Sequence, residues 1–292
     1  MPESEYIIVA LVYGGLKMKL PALLRIHRDD IFGAGVVRFE QPEFTVYAAP
    51  SSRILSRQYK AMLLLQHLDL APQPAPIQRV GRVSVIVARH QPLSDYKLVW
   101  QRQNRAGKIE LIRRLGATIG MVHAMRHAGT GDLVNPHPKP VSRHLAGLIR
   151  KNYILLSLQQ RTVLWPERVS ALVQEAVALW GNAGGTLAGN WTGFPPVKIQ
   201  DSGLMIMDLS RASYSEPLMD LVNICPQVIG LNDVGFFWEY FLQGYGATCE
   251  LPGTWKQRIN LLYKIRLLQS LAAGKEEERA VSDWESRWWE KL

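Results

Sequence analysis

One β-hairpin signal set among long helical stretches constrains this chain more than any other feature. Pro196-Val197-Lys198-Ile199 and Leu204-Met205-Ile206-Met207 are apolar runs of strand length, joined by the turn residues Asp201-Ser202-Gly203 and followed by Asp208. Upstream, within 109–125, Ile112, Leu115, Ile119 and Val122 recur at steps of three and four, the stripe of an amphipathic helix. Val169, Leu172, Val173, Ala176, Leu179 and Trp180 repeat that stripe, as do segments 236–242 and 255–271. Residues before about 92 read differently. Val36-Val37-Arg38-Phe39, Phe44-Thr45-Val46-Tyr47 and Val83-Ser84-Val85-Ile86-Val87 are β-like. Only one helix, about Ser56 to Leu68, interrupts them, and it ends before Pro72, Pro74 and Pro76. The expected fold class is α+β: a small β-rich lobe with one helix over 1–92, then a larger, mainly helical lobe over 93–292 containing one hairpin, 188–209.

The chain is long enough, at 292 residues with 47% hydrophobic, to bury a sizeable core, which excludes disordered and collagenous classes. Its 34 Lys and Arg against 25 Asp and Glu give a formal net charge of +9, so phosphates, nucleic acids or anionic lipid are the partners that its surface attracts. Cys225 and Cys249 are too few for a disulfide framework and lack metal-ligand spacing, so a reducing cytoplasm is expected. The apolar run Tyr6 to Leu16 is far short of the roughly 20 residues of a membrane span, and the acidic Pro2-Glu3-Ser4-Glu5 before it is unlike a signal peptide. It reads as a buried strand pair turning at Gly14-Gly15.

Three strings surround the hairpin. Gly189-Asn190-Trp191-Thr192-Gly193-Phe194-Pro195 precedes it, Met207-Asp208-Leu209-Ser210-Arg211-Ala212 closes it, and Glu216-Pro217-Leu218-Met219-Asp220-Leu221 follows. Together with the lobe order they resemble the small-molecule branch of the kinase fold, the aminoglycoside phosphotransferase and choline kinase relatives, with a further likeness to lipopolysaccharide-core sugar kinases. The likeness runs from about Val36 to Gly246 at the level of pattern. It implies a two-lobed protein-kinase-like fold, with ATP and magnesium as the cofactors of an intact member.

Phosphoryl transfer needs cations around the phosphates, a carboxylate on the metal and a carboxylate to accept the hydroxyl proton. By the resemblance, Asp208 falls on the metal-binding carboxylate; the plainer reading is an Asp capping the next turn. Asn190, 18 residues upstream, stands where the proton-accepting carboxylate belongs, and an amide cannot take that proton. The second metal ligand, five residues on, would be Pro195, or Pro196 in a loop one residue longer, and neither has a side-chain oxygen. Ala188 replaces the usual histidine. In the small lobe, Tyr47 and Gln58 fall on the Lys and Glu that touch and position the phosphates, so both charges of that pair are missing, with Lys60 near enough to be a migrated cation. Gly33 and Gly35 are candidates for a glycine turn over a nucleotide, or for an ordinary turn.

A second loop competes for the base. Thr130-Gly131-Asp132-Leu133-Val134-Asn135-Pro136-His137 directly follows a helix and keeps the Gly-Asp-Leu string, with Asp132 as rival base, but it lies 76 residues from Asp208 and leads into helix. His123 and His127 have a metal-compatible spacing without a Cys or Glu to complete the set, and read as packing and solvent contacts.

From Leu133 to Pro166 the chain has no acidic residue, while Lys139, Arg143, Arg150, Lys151 and Arg161 are basic, a surface for an acidic partner, nucleic acid or anionic lipid or a plain solvated helix. Trp284, Trp288 and Trp289 form an aromatic face near the C-terminus, suited to the core or to a protein partner. The sequence thus reads as a pseudokinase acting as a binding or scaffolding subunit, with weak or absent ATP and magnesium binding. The competing readings are an active phosphotransferase on a hydroxylated small molecule or glycolipid, with Asp132 as base and Asp208 on magnesium, and a basic nucleic-acid-binding protein using the fold as a platform.

Overall fold

The computed structural model describes residues 6–9, 24–27, 36–80, 83–159, 166–191, 194–201, 203–224 and 234–274. The chain divides into two compact units, one of residues 1–103 with 195–212, the other of 104–194 with 213–292. The sequence-based boundary at 92 kept the hairpin with the helical lobe; the structure groups it with the β-rich unit. The pairing explains this: Lys198 and Ile199 lie opposite Asp95 and Ser94, and the Ile206 amide donates to the Leu70 carbonyl at 2.8 Å.

In the first unit, strands Val37–Glu40, Phe44–Ala49, Val83–Arg89 and Gln73–Pro74 form an antiparallel sheet in that order, and Gln78–Val80 also pairs with Val83–Arg89. Val46, Ala48, Ala75, Val83, Val85 and Val87 form its core cluster. The helix begins four residues earlier than the sequence suggests, spanning Ser52–Leu65, because Ser51 caps it by accepting from the Arg53 amide at 3.2 Å. Its buried face is Leu55, Gln58, Ala61, Met62 and Leu65, so one amide sits in an otherwise apolar stripe. Strands Val197–Gln200 and Gly203–Ile206 pair as the sequence predicts.

The N-terminal pairing differs from the expectation. Tyr6–Val9 pairs with Leu24–His27, Tyr6 opposite His27, so the partner strand lies beyond the apolar run. Gly14 and Gly15 themselves lie outside the described residues, as do Gly33, Gly35, Arg161, Trp284, Trp288 and Trp289.

The second unit is mainly helical. Helix Arg105–His123 packs against Val234–Gly246 with backbones close: a Cβ on Gly116 would stand 2.1 Å from the Phe241 carbonyl oxygen, and one on Gly244 2.0 Å from that of Arg113. Helices Val141–Leu158, Pro166–Trp180 and Trp255–Ala272 complete the helical wall. The unit also holds a sheet that the sequence reading lacks. Five short strands, Pro136–His137, Thr130–Asp132, Ser213–Ser215, Gly185–Ala188 and Arg126–His127, lie side by side in that order. At two to four residues each, and rich in Gly, Ser, Thr and His, they carry no alternating pattern to read.

Candidate functional site

In the first unit the residues around Asp208 converge on two peptide groups. Tyr47 lies in the central strand Phe44–Ala49, and its hydroxyl donates to the Met207 carbonyl at 2.7 Å. The Gln58 amide nitrogen donates to the same carbonyl at 3.3 Å, and its amide oxygen accepts from the Leu209 backbone N–H at 2.7 Å. One neutral side chain thus bridges the peptide groups on both sides of Asp208. Tyr47 is 1% exposed and Gln58 wholly buried, so each polar atom must find a partner there, and each does. Burial pushes the Tyr47 phenol above its ordinary pKa, the negative charge of Asp208 adds to the effect, and Arg38 opposes it; the group stays a neutral donor.

The two residues placed by sequence at the phosphate-handling pair therefore do come together at the Asp208 turn. They do so as hydrogen-bonding groups for the main chain. Asp208 itself accepts from the Ser210 amide at 2.9 Å and the Ser210 hydroxyl at 2.7 Å, both on Oδ1, the Asx-type turn of the plainer reading. Pro195, in the same unit, has no side-chain oxygen to join Asp208 on a metal. Among the described residues no group of three or more His, Cys, Asp and Glu could hold a metal ion.

In the second unit the loop that starts at Gly189 is anchored from below. The Gly189 amide donates to Asp220 Oδ2 at 2.7 Å, and the same oxygen meets His123 Nε2 at 3.2 Å. With Nε2–H donating to the carboxylate, His123 Nδ1 accepts from the Tyr245 hydroxyl, 3.0 Å away. Asp220 is 0% and His123 1% exposed. The sequence reading took His123 for a packing and solvent contact; it is buried and belongs to a polar chain. Its place four residues after Ile119, on the apolar stripe of helix Arg105–His123, was the available signal. The Trp191 ring folds back over Gly189 so closely that a Cβ there would meet a ring atom at 2.1 Å, which is why glycine stands at 189.

Asn190 adopts φ +51, a left-handed conformation in which Asn is among the best tolerated non-glycine residues. Its amide donates to the Ser213 hydroxyl at 2.8 Å, and its Oδ1 accepts from the Ser215 hydroxyl at 3.4 Å. Asp132 is held in the same sheet. Its backbone lies opposite Ser213, Ser213 lies opposite Ala188, and its Oδ1 accepts from the Val134 amide at 2.9 Å. Two strand spacings, about 10 Å, thus separate Asp132 from Ala188, the residue before Gly189-Asn190. The rival loop is a strand pair of its own, Thr130–Asp132 with Pro136–His137.

A cavity of about 650 Å³ opens within the second unit, lined in part by His123, Trp180, Glu216, Tyr245 and Arg258. Burial raises the Glu216 carboxyl to about 7, against the opposing pull of the Trp180 indole N–H that donates to it and of Arg258. Lys139, Arg143, Arg150 and Lys151 are all exposed. No described helix is long and apolar enough to cross a membrane.

Comparison with solved structures places this geometry in a known fold. An amicoumacin kinase in complex with AMP-PNP and Ca2+ is 14% identical, with a TM-score of 0.52 over 88% of each chain. An aminoglycoside phosphotransferase with ADP bound is 11% identical, with a TM-score of 0.54 over 87% of this chain and 92% of its own. A choline/ethanolamine kinase family protein from Mesorhizobium loti is 16% identical, with a TM-score of 0.50 over 87% and 83%. No protein-family model matches the sequence, and no curated protein matches it. The chain has the two-lobed α+β kinase fold in the form that aminoglycoside phosphotransferases and choline kinase relatives share.

Proposed function

We propose that this chain is a kinase-fold protein without phosphoryl-transfer activity, which works as a binding or scaffolding subunit. The observation that carries the reading is the neutral bridge of Tyr47 and Gln58 across the Met207 and Leu209 peptide groups. Two residues in the places of a phosphate-binding Lys and its Glu are both uncharged and both already used by the main chain. A triphosphate brought to the Asp208 turn would find no cation from that pair. With Asn190 bonded to two serines and Pro195 offering no oxygen, neither a proton acceptor nor a second metal ligand stands at its expected place. ATP and magnesium binding is accordingly weak or absent. The exposed Lys139, Arg143, Arg150 and Lys151 and the Trp284, Trp288 and Trp289 segment are the surfaces left for attachment in a reducing cytoplasm.

The second reading, an active phosphotransferase using Asp132, draws on the sheet register that sets Asp132 two strands from Ala188. Turnover decides between them. Purified full chain with ATP, magnesium and a panel of aminoalcohols, aminoglycosides and sugars is expected to release ADP at the rate of the blank. Transfer to any of them that is lost in Asp132→Ala would overturn the proposal in favour of the second reading.

A further inference from the structure

The cavity lined in part by His123 and Glu216 lies wholly within the second unit, and its volume of about 650 Å³ is in the ordinary range of sites for small organic molecules. Strands Arg126–His127 and Gly185–Ala188 set Arg126 directly opposite Thr186, so these two side chains share one face of the sheet about 5 Å apart. Both line the cavity, and Arg126 is exposed. Arg258 lines it too. Its guanidinium stands 5.1 Å from the centre of the Trp180 ring, and its Nη2 donates to the Leu179 carbonyl at 2.8 Å, which fixes that cation in the wall.

Two atoms of this wall lack a partner. Thr186 Oγ1 and Arg258 Nε are shielded from bulk solvent and make no hydrogen bond among the described residues. Nε–H can only donate and a hydroxyl can donate, so an acceptor is what both are missing. Buried polar groups left in this way are exceptions, and a bound group that completes them is one physical reason for their presence. The acids on the lining do not serve: Glu216 Oε2 accepts from the Trp180 indole and Oε1 from the Leu218 amide at 3.4 Å, while Glu250 is exposed. Ala128, Ala183, Pro217, Leu218 and Pro252 give the rest of the lining an apolar character.

We infer that this cavity binds a small monocarboxylate with an apolar, ring-sized body, its carboxylate received by Arg126, Thr186 and Arg258 and its body by the alanines and prolines. A single negative charge suits the lining. Two guanidinium groups are set against two acids, Glu216 and Glu250, so a carboxylate is balanced where the second charge of a phosphate would be repelled. The burial that lifts the Glu216 carboxyl to about 7 reduces its charge in the wall and favours an incoming anion. The cavity belongs to the second unit and the Asp208 turn to the first, so the inference holds whether or not the fold handles nucleotide.

Cys249, a free and partly exposed thiol on the lining, reports occupancy in the full chain. The protein is alkylated with iodoacetamide at neutral pH and Cys249 is followed by peptide mass, apart from Cys225. 2-Naphthoate at twice its dissociation constant is expected to slow Cys249 about threefold, as full protection of the occupied state requires. 2-Naphthamide, with the same body and no charge, should leave the rate unchanged. Arg126→Ala, at an exposed position, and Thr186→Val, which removes the unpartnered hydroxyl and keeps the shape, should each raise the concentration needed by about tenfold without altering the rate in the absence of ligand. Melting temperature is recorded in the same samples, so a rise with 2-naphthoate that Arg126→Ala abolishes supports the site even where the thiol reacts too slowly to follow. No slowing and no rise with the carboxylate, equal protection by the amide, an equal response in the variants, or stronger protection by 2-naphthyl phosphate would each overturn the inference.

Discussion

In the second unit Asp220, His123 and Glu216 keep ionisable groups deep inside, each tied to a named partner, whereas in the first unit the corresponding deep positions, Tyr47 and Gln58, hold neutral ones. The two sets do different work. Asp220 and His123 hold the backbone at Gly189 and cross-link three helices, Arg105–His123, Leu218–Ile224 and Val234–Gly246. Side chains with that task serve the fold itself. In the first unit a neutral bridge holds the Asp208 turn. The comparison separates an anchor built from ionisable side chains from one built from neutral side chains.

The sharpest way to break the comparison is at Asp220. Replacing it by Ala leaves the Gly189 amide and His123 without their acceptor, and should cost on the order of 3 to 5 kcal/mol in chemical unfolding. A loss under about 1 kcal/mol would show that the anchor is dispensable.

Glu216 adds a pH signature that the first unit's bridge lacks. Burial holds its carboxyl at about 7 in the folded chain, against 4.5 ordinarily. Between those values the unfolded chain has released a proton that the folded one keeps. Stability therefore falls as pH rises from about 4.5 through about 7, by roughly 3 kcal/mol in all. Glu216→Gln should flatten that part of the stability profile, and an unchanged slope would assign the fall to another group.

In the first unit smaller effects are expected, because a neutral bridge is easier to lose. Gln58→Glu removes one donor and buries a charge, at a cost of about 2 kcal/mol at neutral pH. Tyr47→Phe leaves the Met207 carbonyl its bond from Gln58, so it should cost only about 1 kcal/mol. If Tyr47→Phe proves the costlier of the two, the phenol and not the amide is the main tie of the Asp208 turn.

How much of this was legible in the sequence follows from the size of each signal. The hairpin at 197–206 was readable because two apolar runs flank a strong turn, and Asp208 because it ends the second run. The stripe of helix Arg105–His123 was readable, yet the sequence offers for His123 on that stripe only packing and solvent contact, since a lone His looks the same whether or not an Asp from another helix meets it. Asp220 was visible only as part of a string. The five-stranded sheet was invisible because strands such as Arg126–His127 and Thr130–Asp132 are set by their neighbours, not by their own residues. The N-terminal pairing was misplaced for a related reason: Gly14-Gly15 offered a local turn, and the actual partner, Leu24–His27, is a short run with two charged or titratable side chains.

The central claim is that the neutral Tyr47 and Gln58 bridge has replaced phosphate handling at the Asp208 turn. Thermal unfolding of the full chain with increasing ATP and magnesium tests it most directly. A ligand that binds only the folded state adds about 2.7 kcal/mol at a hundredfold excess over its dissociation constant, a shift of several degrees. The account predicts no shift in the wild-type protein at millimolar ATP. A saturable, magnesium-dependent rise in melting temperature would contradict it.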